Sequence, residues 1–307
     1  MTGTGRWWHP HGTAGGHDYQ VAITDDLHGW EHTSLRVATL APAGRVDLAT
    51  EDSEMIVVPL RGGSDVEVVD HTGVRHEVRL TGRASVFAGP TDVCYVPREA
   101  RLTVRNPGGA EVVVALAGAK ATKRSAPLPV RHLVATDVPV ELRGAGTASR
   151  EVRNFGTPQV LDADSIIACE VITPAGNWSS YPPHKHDEER DGVETELEEI
   201  YYFEVGAEGG TPVEGADPVA YHRVYGTPQR PIDVLAEVRS GDVVLVPHGW
   251  HGPAMAPPGY DLYYLNVMAG PGPTRAWLIC DDPAHGWVRR SWAGQAVDPR
   301  LPMGEPR

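Results

Sequence analysis

The sequence predicts an all-β chain of two tandem antiparallel β-barrel modules of the jelly-roll kind, residues 1–135 forming the first and 136–307 the second. Three observations predict it. Glycine (34) and proline (27) interrupt nearly every short apolar run in the 307 residues, the pattern of many short strands joined by turns. Helical periodicity is nearly absent, and several runs alternate in polarity as half-buried antiparallel strands do. The two halves also read as copies of one plan.

In chain order, the first set of strands is Ser34–Leu40, Glu54–Val58, Asp65–Val69, Ala84–Ala88, Asp92–Val96, Arg101–Val104 and Val112–Ala117. Gly118–Arg153, with Lys120, Lys123, Pro127 and Pro129, reads as the connection. The second set is Ser165–Ile172, Glu199–Val205, Ala220–Tyr225, Ile232–Glu237, Asp242–Val246 and Tyr260–Val267. Leu40–Gly44 answers Ile172–Gly176 and Glu54–Val58 answers Glu199–Phe203. Ala88–Pro97 and Ser240–Pro247 each end an apolar strand in Val-Pro.

A net charge of −14, from 41 acidic and 27 basic residues, disfavours a nucleic-acid or anionic-membrane partner. The basic runs are only pairs, Lys123-Arg124 and Arg289-Arg290. No apolar run nears the roughly 20 residues that cross a bilayer, and Met1–Pro10 has no basic flank followed by an apolar stretch. A cytoplasmic, soluble protein is expected. Cys94, Cys169 and Cys280 are odd in number with no CxxC, so they read as buried thiols and not as a disulfide scaffold or a thiolate zinc site.

The chemistry concentrates in Trp178–Asp187. In a strand, residues two apart share a face, so His184 and His186 can both enter a barrel while Lys185 points out. The pair Glu198-Glu199 opens the next strand, and the strand Asp242–Val246 ends in a turn carrying His248 and His251. Imidazole and carboxylate suit divalent Zn, Mn, Fe or Ni, and a His₃Glu set leaves positions open for substrate. His9, His11 and His17 lack such spacing. Tyr201-Tyr202 and Tyr263-Tyr264 read as strand aromatics, half of them core, with one hydroxyl a candidate to face the site.

This pattern resembles the cupin superfamily: Gly176, the HxH, and Glu199 before an apolar-aromatic strand, then Gly241, Pro247, Gly249 and His251. The loop from His186 to Glu199 is longer than in simple cupins, and one residue is missing between Gly249 and His251. The resemblance implies a bicupin whose metal ligands are His184, His186, Glu199 and His251; the residues alone would also allow His248 in place of His251, a position the resemblance makes variable and often basic. The first module keeps Glu54 and Pro97 where Glu199 and Pro247 stand, but has Glu51–Ser53 and Arg98–Ala100 near where histidines are needed. It is expected to hold no metal and to be structural or lend a side chain to the substrate.

More narrowly, Asn177–Asp187, Leu197–Tyr202, Gly241–Pro247, Gly249, His251, Gly259–Gly270 and Asp282–His285 resemble the 5-deoxy-glucuronate isomerase family of bacterial myo-inositol breakdown, related to 5-keto-4-deoxyuronate isomerase. In the first module only short pieces such as Gly29–Glu31 resemble it. The resemblance implies an aldose–ketose isomerase converting 5-deoxy-D-glucuronate to 5-dehydro-2-deoxy-D-gluconate. A divalent ion would chelate the carbonyl and the adjacent hydroxyl. Glu198, Tyr202, Tyr264 and His248 are the candidate bases for a proton transfer, and a hydride shift would need none. Arg223 and Arg275 are candidates for the substrate carboxylate, with Lys185 added to the substrate-binding set. The expected partner is the small deoxyuronic acid, with homo-oligomerisation open. The alternatives are a cupin metal-dependent dioxygenase and a non-enzymatic sugar-binding bicupin.

Overall fold

The computed structural model describes residues 4–16, 18–27, 29–211 and 213–304. His17, one of the N-terminal histidines considered above, lies outside the described residues. Three antiparallel sheets account for the chain. The first sheet has nine strands and the order Arg131–Leu133, Val93–Val96, Ser53–Val69, Val112–Lys120, Thr33–Leu40, Val21–Ile23. Arg75–Arg83 and Arg101–Arg105 pair with the far half of Ser53–Val69, and Arg45–Ala49 with Arg101–Arg105. No helix among the described residues is long and apolar enough to cross a membrane.

The second half contributes two sheets that face one another. One has the order Trp8–His9, Val243–Val246, Glu198–Ala207, Tyr260–Ala269, Ile167–Thr173, Arg150–Gly156, Val140–Arg143. The other runs Asp233–Val238, Ala220–Tyr225, Trp250–Met255, His184–Lys185, Cys280–Asp281, with Trp178–Ser179 also paired to Trp250–Met255. The alternation read from the sequence has its cause here: in Asp233–Val238, Val234, Ala236 and Val238 are buried while Asp233, Leu235 and Glu237 are exposed.

Glu198–Ala207 lacks that alternation because its sheet is covered on both faces. One apolar cluster joins Leu35, Ile56 and Tyr95 to Phe155, Ile200 and Tyr202, so the two halves share a core. A second cluster, including Val57, Val66, Leu102 and Leu116, fills the first barrel. Buried charges cross the shared face. Arg83 pairs with Glu170, which also accepts the Tyr263 hydroxyl at 2.7 Å, and Arg153 Nη1 donates to the carbonyls of Val86 and Gly89 at 2.7 and 2.6 Å.

Several expectations are corrected. Ala84–Ala88 is not a strand; Val86–Ala88 is a 3₁₀ turn, closed by the Ala88 N–H to the Ser85 carbonyl. Glu54–Val58 and Asp65–Val69 are one strand, which bends through Gly62-Gly63 and changes partners there. Gly118–Arg153 is no bare connection. It holds the end of Val112–Lys120, the edge strands Arg131–Leu133 and Val140–Arg143, and the first four residues of Arg150–Gly156. The edge strands are short and largely exposed, so they carry no apolar alternation. Residues Trp8–His9 depart from the expected first module by pairing with Val243 and Val244.

The internal repeat is real in geometry but one residue out of the register drawn from sequence. Ala43 and Gly176 share a positive φ, 61° and 78°, so Ala43, not Gly44, matches Gly176. Met55 pairs with Val96, just before Pro97, as Glu199 pairs with Val246, just before Pro247. Glu54 therefore matches Glu198, and Met55 stands where Glu199 does. A one-residue slip exchanges the two faces of a strand, and two adjacent glutamates conceal it.

Candidate active site

The two sheets of the second half bring four predicted residues together. His184 pairs directly with His251 across neighbouring strands, and Glu199 reaches them from the facing sheet. His251 lies between the other two imidazoles, its ring centroid 4.4 Å from His184 and 4.6 Å from His186. Glu199 Oε2 is 3.0 Å from His186 Nε2 and 3.1 Å from His251 Nε2. All four side chains are buried.

The outer nitrogens explain how the rings are aimed. Nδ1 of His184, His186 and His251 lies near a backbone carbonyl, of Pro182 (3.4 Å), Leu197 (3.1 Å) and Gly249 (3.2 Å) respectively. A proton held at Nδ1 leaves each Nε2 lone pair free. Three such lone pairs beside a buried carboxylate repel one another unless a cation or proton sits among them, so the donor set fits a divalent ion. Burial works against the charged Glu199, but His186 and His251 outweigh it and hold its carboxyl well below the ordinary range. Burial and the neighbouring imidazoles push His184 well below the usual histidine value. His186 would be lowered by burial, yet Glu199 raises it.

The surroundings fix this geometry. Asp187 accepts the Gly249 N–H at 2.8 Å, tying the turn before His251 to the HxH strand. Gly252, at φ +94°, lets its backbone approach the Ser180 carbonyl so closely that a Cβ would lie 1.8 Å from the oxygen. Ser180 itself has a φ of 47°, an unusual conformation for a residue with a side chain. Its hydroxyl lies 3.0 Å from the Tyr264 hydroxyl, which donates at 3.0 Å to Ser179 Oγ.

A cavity of about 670 Å³ opens over the centre, of the size that takes small ligands. His184, Glu199, Tyr201, Tyr264 and Ser180 line one end. Arg143, Arg150, Trp277, Arg289 and Trp292 line the remainder, with Asn266 and Asp281.

The other predicted residues lie elsewhere. Alternation along Glu198–Ala207 turns Glu198 and Tyr202 away from the cavity. Glu198 accepts the backbone N–H groups of Glu31, His32 and Thr33, and Tyr202 donates to Glu204 at 2.5 Å. His248 sits half-buried beside Arg230 and Pro231, outside the cavity lining. Arg223 points outward and pairs with Asp233, because its neighbours His222 and Val224 take the inward positions. Arg275 spends its guanidinium on the carbonyls of Ile166, Leu161 and Gly156. Lys185 is held outside the barrel by Asp187 and Glu194. Of the candidate bases only Tyr264 faces the cavity, and Tyr201 joins it, while Tyr263 serves the shared face. His9 is in the strand paired with Val243, and the His11 N–H goes to Asp242. Cys94 and Cys169 are buried free thiols, whereas Cys280 is partly exposed and meets Arg190.

Sequence reasoning missed Arg143 and Arg150, which lie in the stretch read as a connection, and Trp292 and Asp281 near the C terminus. Only the pairing of distant strands brings them to the cavity.

Comparison with known proteins agrees with this architecture. The KduI/IolB family model matches residues 7–288. The chain is 40% identical over 272 residues to a 5-deoxy-glucuronate isomerase of Geobacillus kaustophilus (strain HTA426), covering 88% of this chain and 91% of the relative. It is 35% identical over 267 residues to the 5-deoxy-glucuronate isomerase of Bacillus subtilis (strain 168), covering 87% and 91%. A crystal structure of an IolB-like protein from Salmonella typhimurium LT2 superposes with a TM-score of 0.78 at 32% identity, covering 92% of this chain and 98% of that one. Oxalate decarboxylase of Lactobacillus farciminis shares the fold, with a TM-score of 0.59 at 11% identity over 85% of this chain and 82% of that one. The chain belongs to the KduI/IolB family.

Proposed function

We propose that this protein is an aldose–ketose isomerase that converts 5-deoxy-D-glucuronate to 5-dehydro-2-deoxy-D-gluconate in myo-inositol breakdown. The observation that carries the reading is the convergence of the Nε2 atoms of His186 and His251 on Glu199, with the His184 ring packed against His251 and each imidazole aimed by a carbonyl at its Nδ1. The name shared by the similar relatives supports the substrate. His184, His186, Glu199 and His251 would hold a divalent ion of the Zn, Mn, Fe or Ni group. Such an ion supplies Lewis-acid polarisation of the substrate carbonyl and its adjacent hydroxyl.

The chain's own residues supply the rest. Burial pushes the Tyr264 phenol up to about 12, so it is neutral and donates a hydrogen bond to a developing substrate oxygen. Ser179 and Ser180 behind it hold that hydroxyl in place. Trp277 and Trp292 wall the cavity against bulk water.

A proton NMR time course in D₂O, with metal-loaded protein and 5-deoxy-D-glucuronate, tests the reading. The aldose signals are expected to give way to those of the ketose. Deuterium at C6 of the product, the carbon that was the aldehyde, marks proton transfer, and its absence marks a hydride shift. A fully metal-loaded protein that leaves the aldose unchanged overturns the proposal.

A further inference from the structure

The cavity wall away from the four ligands carries three guanidiniums, and their partners are unequal. Arg289 Nη2 donates to Asp281 at 2.6 Å, with Nε on the other oxygen, and Arg143 Nε lies 2.8 Å from Glu141. Arg150 is 8% exposed, and its one recorded hydrogen bond is Nη1 to the Ala148 carbonyl at 3.0 Å. Among the described residues no carboxylate lies within ion-pair reach of it. Its guanidinium carbon lies 5.5 Å from the Trp292 ring centroid. Burial presses its pKa down to about 10, with Arg143 and Arg289 adding repulsion, so it remains a cation at neutral pH in a place that disfavours one. A buried charge left without a counter-ion is costly, and a bound anion removes that cost.

We propose that Arg150, with Arg143 beside it, forms the subsite for the substrate's carboxylate. The cavity then takes an open-chain sugar acid with its carbonyl end at His184 and Glu199 and its acid end at Arg150. The inference rests on the isomerase reading for the identity of the sugar, but the anion subsite stands on the cavity alone. Arg150 is a specificity-determining residue: it selects an acid over the corresponding alcohol, because the forked guanidinium matches a carboxylate in two parallel hydrogen bonds.

The test uses full-length, metal-loaded protein and three ligands: 5-deoxy-D-glucuronate, its neutral counterpart 5-deoxy-D-glucose, and the acid reduced to a primary alcohol at C1, which cannot isomerise. Calorimetric affinity for the reduced acid is expected to fall about tenfold in Arg150→Lys, which loses the fork, and about a hundredfold in Arg150→Met. KM for the uronate should rise correspondingly with a smaller change in kcat, and the residual rate on the neutral sugar should stay within a few-fold. Thermal melting establishes that each variant is folded. Where Arg150→Met does not fold, Arg150→Lys alone decides. Reduced-acid affinity within twofold of wild type in the folded variants overturns the proposal. Wild-type protein that binds the reduced acid through Arg150 but never turns over the uronate sinks the isomerase reading and leaves the subsite standing.

Discussion

Glu54 and Glu198 perform the same task from opposite sides of the shared core. Glu54 accepts the backbone N–H groups of Asp164, Ser165 and Ile166 in the second half, and Glu198 those of Glu31, His32 and Thr33 in the first. Each carboxylate satisfies three consecutive donors where the chain enters a strand of the other half. Glu198→Ala leaves those donors buried, and we expect it to cost about 3 kcal/mol of stability while metal content at low temperature stays near wild type. Metal lost stoichiometrically from a folded Glu198→Ala protein, by elemental analysis, would return Glu198 to the active site.

The neighbouring Glu199 behaves in the opposite way. Glu199→Ala or His186→Ala should weaken metal affinity by at least about a hundredfold, beyond the effect of changing an outer partner. Turnover should fall in parallel. Elemental analysis after dialysis, with activity measured on the same samples, checks this; full activity in a metal-stripped variant would refute it.

Metal uptake should release a proton. With Glu199 holding the His186 pKa above its ordinary value, that imidazole is the proton's favoured seat in the free site, and an ion must displace it. Affinity therefore falls as pH drops and the site retains its proton. Calorimetry in buffers of differing ionisation enthalpy measures the release. Binding enthalpies independent of buffer at neutral pH would contradict it.

Tyr264→Phe should lower kcat by roughly a hundredfold with little change in metal content. Because the phenol titrates at about 12, no loss of activity below pH 10 should trace to it. A rate limb near neutrality that disappears in Tyr264→Phe would show the phenol acting as a base.

Arg223→Ala should leave kcat/KM within about twofold and stability within about 0.5 kcal/mol, since its ion pair with Asp233 is on the surface. Arg275→Ala should instead destabilise the fold, by stranding the carbonyls of Gly156, Leu161 and Ile166. Uronate kinetics and thermal melts of both variants separate the two effects, and a KM defect confined to Arg223→Ala would reinstate it as a substrate ligand.

Much of the candidate centre was legible because three of its four residues follow a local spacing. His184 and His186 share a strand face, and Glu199 is the member of the Glu198-Glu199 pair on the inner face. The same alternation sends Tyr202 outward and Tyr201 inward. Arginine roles were illegible, since nothing adjacent in sequence distinguishes Arg223 on the surface from Arg150 in the cavity. That distinction arises when Arg150–Gly156 pairs with Ile167–Thr173. The repeat was visible, but its register was not, because only backbone pairing separates Met55 from Glu54.

Trp8–His9 has a consequence out of proportion to its two residues. It covers the rim of Val243–Val246, with Trp8 Nε1 and the His11 N–H both anchored on Asp242. Removing Trp8–His9 would bare one edge of a wholly apolar ribbon some 235 positions downstream, and bare edges of that kind stick to one another. The opening residues thus guard the far barrel against self-association.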